Sequence, residues 1–92
     1  MIIEDVLGSK TKLKVIKVLS ESSAPLSLYY IQRKTGLRRS SLKSAIEGLS
    51  KAGLVKEVEG LNVKKYEINS NSPEAKKLIS CLIELGYINT RL

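Results

Sequence analysis

The stretch TGLRRSSLKSAIEGLSKAGL, residues 35–54, joins a polar, arginine-bearing start to a run of apolar residues at helical spacing. Its apolar residues recur three and four positions apart, which places them on one face of an α-helix running from about Arg38 or Arg39 to Lys51. These residues are Leu42, Ala45, Ile46 and Leu49. Because the other face is polar, this helix should pack on a core with one side and leave the other side open to a partner.

A second helix is expected directly before this one. Residues 28–35 form an amphipathic run that ends in basic side chains, and Gly36 suits the C-cap of a tight turn. Ser9 is expected to cap an earlier helix over residues 10–20, and residues 26–28 are expected to be briefly extended. Two helices joined by a glycine turn form a helix-turn-helix, and the quoted stretch is its second half.

The segment after the quoted helix predicts a β-hairpin and a final helix. Residues 54–59 and 63–68 are rich in β-branched and aromatic side chains, with turn chemistry at residues 60–62 between them. Ser72, followed by proline, is a good helix start, and the last helix should span residues 73–85.

The predicted fold is mainly α with a small β-hairpin wing (α+β). Its order is helix, helix, helix, hairpin, helix, with a short N-terminal helix over residues 1–7. A chain of 92 residues fits one domain, here residues 1–92, in which residues 7–68 form the winged-helix core.

Composition narrows the class of function. The formal charge of +7 and pI near 9.7 favour an anionic partner, with nucleic acid first. The chain has no histidine, one cysteine and no phosphate-binding glycine loop, so we expect no enzyme activity, no cofactor and no metal site. It also has no apolar run long enough for a membrane span, which predicts a cytoplasmic protein without a membrane partner.

The polar face of the quoted helix suits double-stranded DNA. Small hydroxyl side chains allow the backbone to enter the major groove, and arginines and lysines can contact phosphates or guanine edges. The candidate DNA-binding residues on this helix are Arg38, Arg39, Ser40, Ser41, Lys43 and Ser44.

The hairpin should add a second contact with DNA. Asn62 at its tip and Lys64 and Lys65 on the returning strand can reach the backbone or the minor groove. Glu57 and Glu59 oppose this contact, so a wing that binds phosphate requires them to point away from it.

At this point the sequence resembles the winged helix-turn-helix family, in particular small archaeal and bacterial regulators of the MarR and ArsR type. The resemblance is carried by LGSKTKLKVIKVL, IQRKTGLRRSSLKSAIEGLSKAGLV and KKYEI, and it covers roughly residues 7–68. It implies a transcriptional regulator in which Tyr66 packs beneath the wing. The recognition helix would then contain Arg39, Ser40, Ser41, Lys43 and Ser44, and the wing Asn62, Lys64 and Lys65. The chain lacks the cysteine-rich metal-sensing stretch of the ArsR type and the long terminal helices of the MarR type, so no small-molecule effector is implied.

The last helix has an apolar arc that is wider than one core contact needs. We expect a homodimer through Leu78, Ile79, Leu82 and Ile83, which would set two recognition helices about 34 Å apart. The alternative is that the N-terminal segment of the same chain covers the arc. Cys81 is expected to be a small buried hydrophobe, or to form an intersubunit disulfide if it lies near a dimer axis.

Two other functions remain compatible with the sequence. A low-specificity protein that coats or segregates DNA would use the same basic face. A winged-helix protein-interaction module would instead dock that face on an acidic protein. A solvated basic face would also explain the charge, but charge, serine spacing and the glycine turn agree on one element, which favours DNA binding.

Overall fold

The computed structural model describes residues 6–60 and 62–89. Four helices begin within these ranges: α1 (Lys10–Ser20), α2 (Leu28–Thr35), α3 (Arg39–Lys51) and α4 (Pro73–Glu84). Three strands, β1 (Leu26–Ser27), β2 (Val55–Glu59) and β3 (Lys64–Ile68), form one antiparallel sheet in the order β1-β3-β2. The predicted α+β architecture is confirmed.

The sheet has one strand more than the predicted hairpin. The segment expected to be briefly extended becomes β1 and pairs with the returning strand, with Leu26 opposite Tyr66 and Ser27 opposite Lys65. This strand ties the start of the helix-turn-helix to the wing. Tyr66 is partly buried against the core, as expected.

All four helices contribute to one core beneath the sheet. Its buried apolar residues include Val15, Ile16 and Leu19 of α1, Ile31 of α2, Leu42, Ala45, Ile46 and Leu49 of α3, and Ala75, Leu78 and Leu82 of α4. The four α3 residues are those that the spacing predicts. Burying each leucine or isoleucine side chain contributes about 1.5–3 kcal/mol, so α3 is held firmly on its apolar side.

The turn between α2 and α3 depends on glycine. Gly36 has a φ of +71°, a left-handed conformation that side-chain-bearing residues rarely adopt, and its N–H donates to the carbonyl of Gln32 at 2.8 Å. Leu37 follows and packs against the core. This turn sets the direction of α3.

The apolar arc of α4 is mostly used inside its own chain. Leu78 and Leu82 are only 3% and 4% exposed, so the two leucines expected at a dimer interface lie in the core instead. Ile79 is partly buried, and Ile83 is 38% exposed. The expectation of a buried Cys81 is wrong, because its side chain points outward.

Both ends of the described chain dock on this core. The predicted N-terminal helix lies largely outside the described residues, but Val6 at its end is helical and buried. After α4, Ile88 is buried, and Glu21, the C-cap of α1, accepts a hydrogen bond from the backbone N–H of Asn89 at 2.9 Å. Lys17 joins this contact, because its ammonium lies 2.8 Å from the Glu21 carboxylate. None of the helices in residues 6–60 and 62–89 is long and apolar enough to cross a membrane.

Candidate nucleic-acid interface

The start of α3 differs from the starts of the other three described helices. At α1, α2 and α4, the hydroxyls of Ser9, Ser27 and Ser72 each accept a hydrogen bond from a backbone N–H of the first turn. The N-cap of α3 is Arg38, whose side chain makes no such bond. The N–H groups at this end therefore remain available to an external acceptor, and the helix dipole favours an anion there.

A cleft of about 620 Å³ lies between α3 and the hairpin, next to this uncapped start. Arg39 and Lys43 of α3 and Lys64 of β3 bring three cations to its walls, while Asn62 stands at the hairpin tip and Tyr66 adds an apolar surface. The described lining residues include no carboxylate. The cleft can therefore hold a polyanion whose path follows α3 and the wing.

The acidic residues of this surface lie further along α3 and on β2. A neighbouring cleft of about 450 Å³ is lined by Glu47 and Glu57 together with Lys43 and Lys64. The Glu57 carboxylate lies 3.9 Å from the Lys64 ammonium, and the Glu47 carboxylate lies 3.4 Å from the Lys51 ammonium. Positive potential is thus concentrated at the N-terminal end of α3 rather than spread along it.

A wing that binds phosphate requires Glu57 and Glu59 to point away from the DNA surface, and the structure does not place them so. Glu57 stands opposite Tyr66 and Glu59 opposite Lys64 in the antiparallel register, and opposite residues share a sheet face. This is the face that lines the clefts, so Glu57 points toward α3 rather than away from it. The β2 side of the wing is therefore a poor surface for phosphate.

The two wing lysines point to opposite faces of the sheet. Lys64 lines the cleft, but Lys65 is the next residue along the strand and so points to the other sheet face. The Lys65 side chain runs beside Gly60 instead. Asn62 is exposed and has a φ of +65°, a conformation that asparagine tolerates well. The structure thus brings Asn62 and Lys64 to the cleft, and Lys65 to its outside.

Two serines of α3 lie on its other flank, facing α1. Ser41 and Ser44 line a shallow groove with Ser9, Thr11 and Lys12 of α1. The Lys12 side chain lies against α3 at Gly48, where a Cβ would come within 3.2 Å of the Lys12 Cε. Ser40 and Arg38 are exposed beyond this groove. The predicted residues of α3 therefore divide between a wing side and an α1 side.

Two residues of this surface were not among the predicted contacts. Lys12 belongs to a lysine-rich helix whose charge was visible in the sequence, but its position beside α3 follows from the packing of α1 on α3. Tyr29 of α2 lines the cleft and is 62% exposed. A pair of tyrosines at a helix start was a visible pattern, although spacing alone does not show which one faces the cleft.

These features define a winged helix-turn-helix protein: a helix pair joined by a glycine turn, an exposed second helix and a hairpin beside it. No family model and no curated protein matches the sequence.

Solved structures share the same fold. The chain matches a possible HxlR family transcriptional factor from Thermoplasma volcanium with a TM-score of 0.76 and 23% identity, over 90% of this chain and 73% of that one. It matches HlyU from Vibrio cholerae with a TM-score of 0.77 and 21% identity, over 91% and 87% of the two chains.

A third match is the homodimeric winged helix-turn-helix DNA-binding domain of a possible ArsR-family transcriptional regulator from Mycobacterium bovis. Its TM-score is 0.74 and its identity 15%, over 92% of this chain and 75% of that chain. The fold that the sequence resemblance implies is therefore confirmed.

Proposed function

We propose that this protein binds double-stranded DNA and regulates transcription, with α3 in the major groove and the hairpin tip on the adjacent backbone or minor groove. The observation that carries the proposal is the cleft where Arg39, Lys43 and Lys64 converge beside the uncapped start of α3. Cations and helix N–H groups placed together match a phosphate backbone, and a net charge of +7 adds long-range attraction to it.

The exposed side of α3 has the shape that groove entry needs. The major groove is about 12 Å wide and admits one helix when the leading side chains are small. Ser40 and Ser44 are small and exposed, and they lie between the cations of the wing side and Lys12 on the α1 side. Serines can donate to base edges, while the flanking cations hold the phosphates on either side of the groove.

The structural neighbours support a regulatory role. The Thermoplasma volcanium and Mycobacterium bovis proteins are described as a possible transcriptional factor and a possible transcriptional regulator, and the latter is a homodimer. We extend both properties to this chain as part of the proposal.

We place the homodimer contact at the outer end of α4 rather than at the buried leucines. Ile83 is 38% exposed and Leu85, at the C-cap, is 73% exposed, so apolar surface remains here after the core is formed. Exposed apolar patches are typical of protein interfaces. A homodimer joined through Ile83 and Leu85 would carry two recognition helices, one for each half-site of a duplex.

The test is the salt dependence of duplex binding, measured by fluorescence anisotropy with the full chain and a labelled duplex. Neutralising about four phosphates should lower the affinity roughly a hundredfold between about 50 and 200 mM salt. Affinity that does not change with salt contradicts the proposal. Absence of binding at the lower salt favours a protein-interaction module, and a footprint that spreads steadily with concentration favours a DNA-coating role.

A matched pair of double variants tests the site itself. Arg39→Ala with Lys43→Ala removes two cleft cations and should reduce the salt slope by about two. Lys76→Ala with Lys77→Ala removes the same charge from exposed positions on α4 and should leave binding close to that of the original chain. Equal losses in both pairs would show that bulk charge, not the α3 surface, governs binding.

A further inference from the structure

Two adjacent tyrosines on α2 face different parts of the surface. Tyr29 and Tyr30 are 62% and 45% exposed. Tyr29 lines the cleft with Arg39 and Lys43. Tyr30 lines a separate depression beside α1, and Glu21 is another residue of that depression. One tyrosine of the pair therefore faces the proposed DNA surface, and its neighbour does not.

Arg33 holds the hydroxyl of Tyr29. It lies one helical turn later, where side chains meet, and its Nη1 donates a hydrogen bond to the Tyr29 Oη at 3.1 Å. Its guanidinium carbon is 5.8 Å from the centroid of the Tyr29 ring. A phenol hydroxyl both accepts and donates. Because this one accepts from Arg33, its own proton is left for an acceptor outside the chain.

We propose that Tyr29 and Arg33 form a phosphate clamp beside the cleft, in which the Tyr29 hydroxyl donates to a phosphate oxygen of duplex DNA. The inference rests on the proposed function and adds α2 to the DNA surface. A phosphate diester is an acceptor that carries a negative charge, so both the hydroxyl proton and the guanidinium stabilise it. Arg33 lies over one face of the ring, which favours contact through the hydroxyl over stacking on a base.

The two tyrosines provide their own control. Tyr29→Phe removes one hydroxyl from an exposed position, and the affinity for every duplex should fall about tenfold. The salt slope should stay unchanged, because no charge is lost. Tyr30→Phe removes the same atom outside the cleft and should bind like the original chain. Binding of Tyr29→Phe within about twofold of the original, or an equal loss in Tyr30→Phe, overturns the inference.

The role of Arg33 is tested by combining variants. Arg33→Ala should reduce the salt slope by about one, and Lys34→Ala, which removes the cation lying 5.6 Å from the Tyr30 ring centroid, serves as the charge control. If Arg33 positions the hydroxyl, Tyr29→Phe should lose most of its effect in the Arg33→Ala background. A full tenfold loss in that background overturns the clamp.

If the original chain does not bind duplex DNA at low salt, the proposed function is wrong. If the original chain binds and Tyr29→Phe binds equally well, the function stands and the clamp is wrong.

Discussion

Helices α3 and α4 share one design on their inner sides and differ on their outer sides. Each buries small and leucine side chains at spacings of three and four. Outward, α3 presents Ser40 and Lys43, whereas the end of α4 presents Ile83 and Leu85. The inner pattern makes each helix part of the core. Under the proposed function, the outer pattern determines the kind of partner, which would be anionic for α3 and apolar for the end of α4.

The N-termini of α3 and α4 also differ, because only that of α4 has a side-chain cap. Ser72 caps α4 with a hydrogen bond from the N–H of Ala75 at 3.1 Å, while Arg38 gives α3 no side-chain cap. A helix that omits its cap is less stable by about 1 kcal/mol. The local weakness at α3 coincides with its proposed phosphate contact, which is where departures from the most stable sequence are expected.

The largest expected effect tests whether the inner sides are equivalent. Leu42→Ala and Leu82→Ala should each lower the free energy of unfolding by about 3 kcal/mol, since both side chains are buried and would leave cavities. Lys43→Ala, on the exposed side of α3, should change it by less than about 0.5 kcal/mol. Urea denaturation measures all three. A cost below about 1 kcal/mol for Leu82→Ala would show that the inner side of α4 is not core in solution.

The next effect tests the apolar surface at the outer end of α4. Ile83→Glu with Leu85→Glu should weaken self-association at least about tenfold, because charge replaces apolar surface at the proposed contact. Sedimentation equilibrium gives the dimer constant. Lys77→Glu adds an acid at an exposed position nearer the start of α4 and should leave the constant unchanged. An original chain that stays monomeric at high micromolar concentration contradicts the dimer.

The two N-caps can be altered in opposite directions. Ser72→Ala should lower the free energy of unfolding by about 1 kcal/mol, whereas Arg38→Ser should raise it by about 0.5 kcal/mol by capping α3. Arg38→Ser should also weaken duplex binding, since it removes a cation and occupies an N–H group of the helix start. Thermal or urea unfolding and anisotropy check the pair. A more stable Arg38→Ser variant with undiminished DNA affinity would separate the uncapped start from binding.

The smallest effect concerns the anchor of the segment after α4. The Lys17 ammonium, and next the backbone N–H of Asn89, hold the pKa of Glu21 below its ordinary value of 4.5. A carboxyl with a lowered folded-state pKa stabilises the protein above pH 4.5, and this stabilisation is lost as pH falls through the folded-state pKa. Glu21→Gln should therefore cost about 0.5 kcal/mol near neutral pH and nothing in strong acid. Urea unfolding at both pH values measures this, and a cost that does not depend on pH contradicts it.

Much of the secondary structure was predictable because its causes are local. The helices expected over residues 10–20 and 28–35 are α1 and α2 at the same bounds, and α3 ends at Lys51 as its apolar spacing predicts. Ser9, Ser72 and Gly36 act where their side-chain chemistry or backbone freedom suggested. Caps, turns and periodicity depend on residues only a few positions apart, so they can be recognised without the fold.

The candidate site was only partly predictable. Arg39, Lys43, Lys64 and Asn62 meet at one cleft, as a winged helix implies, but Lys65 lies on the other sheet face. Tyr29 and Lys12 reach the surface through the packing of α2 and α1 beside α3. Such contacts join residues that are distant in sequence, so spacing could not show them.

Composition specified the excess of positive charge, and interactions between residues close in the chain specified the helices, their ends and the hairpin. Hydrogen-bonding caps, glycine turns and apolar periods act over one or two helical turns, so they can be recognised in the sequence alone. Packing decided that Leu78 and Leu82 face inward, that Cys81 faces outward, that β1 joins the sheet, and which cations share a cleft with Tyr29. An apolar arc shows that a surface must be covered, but the element that covers it is determined by the whole chain closing on one core.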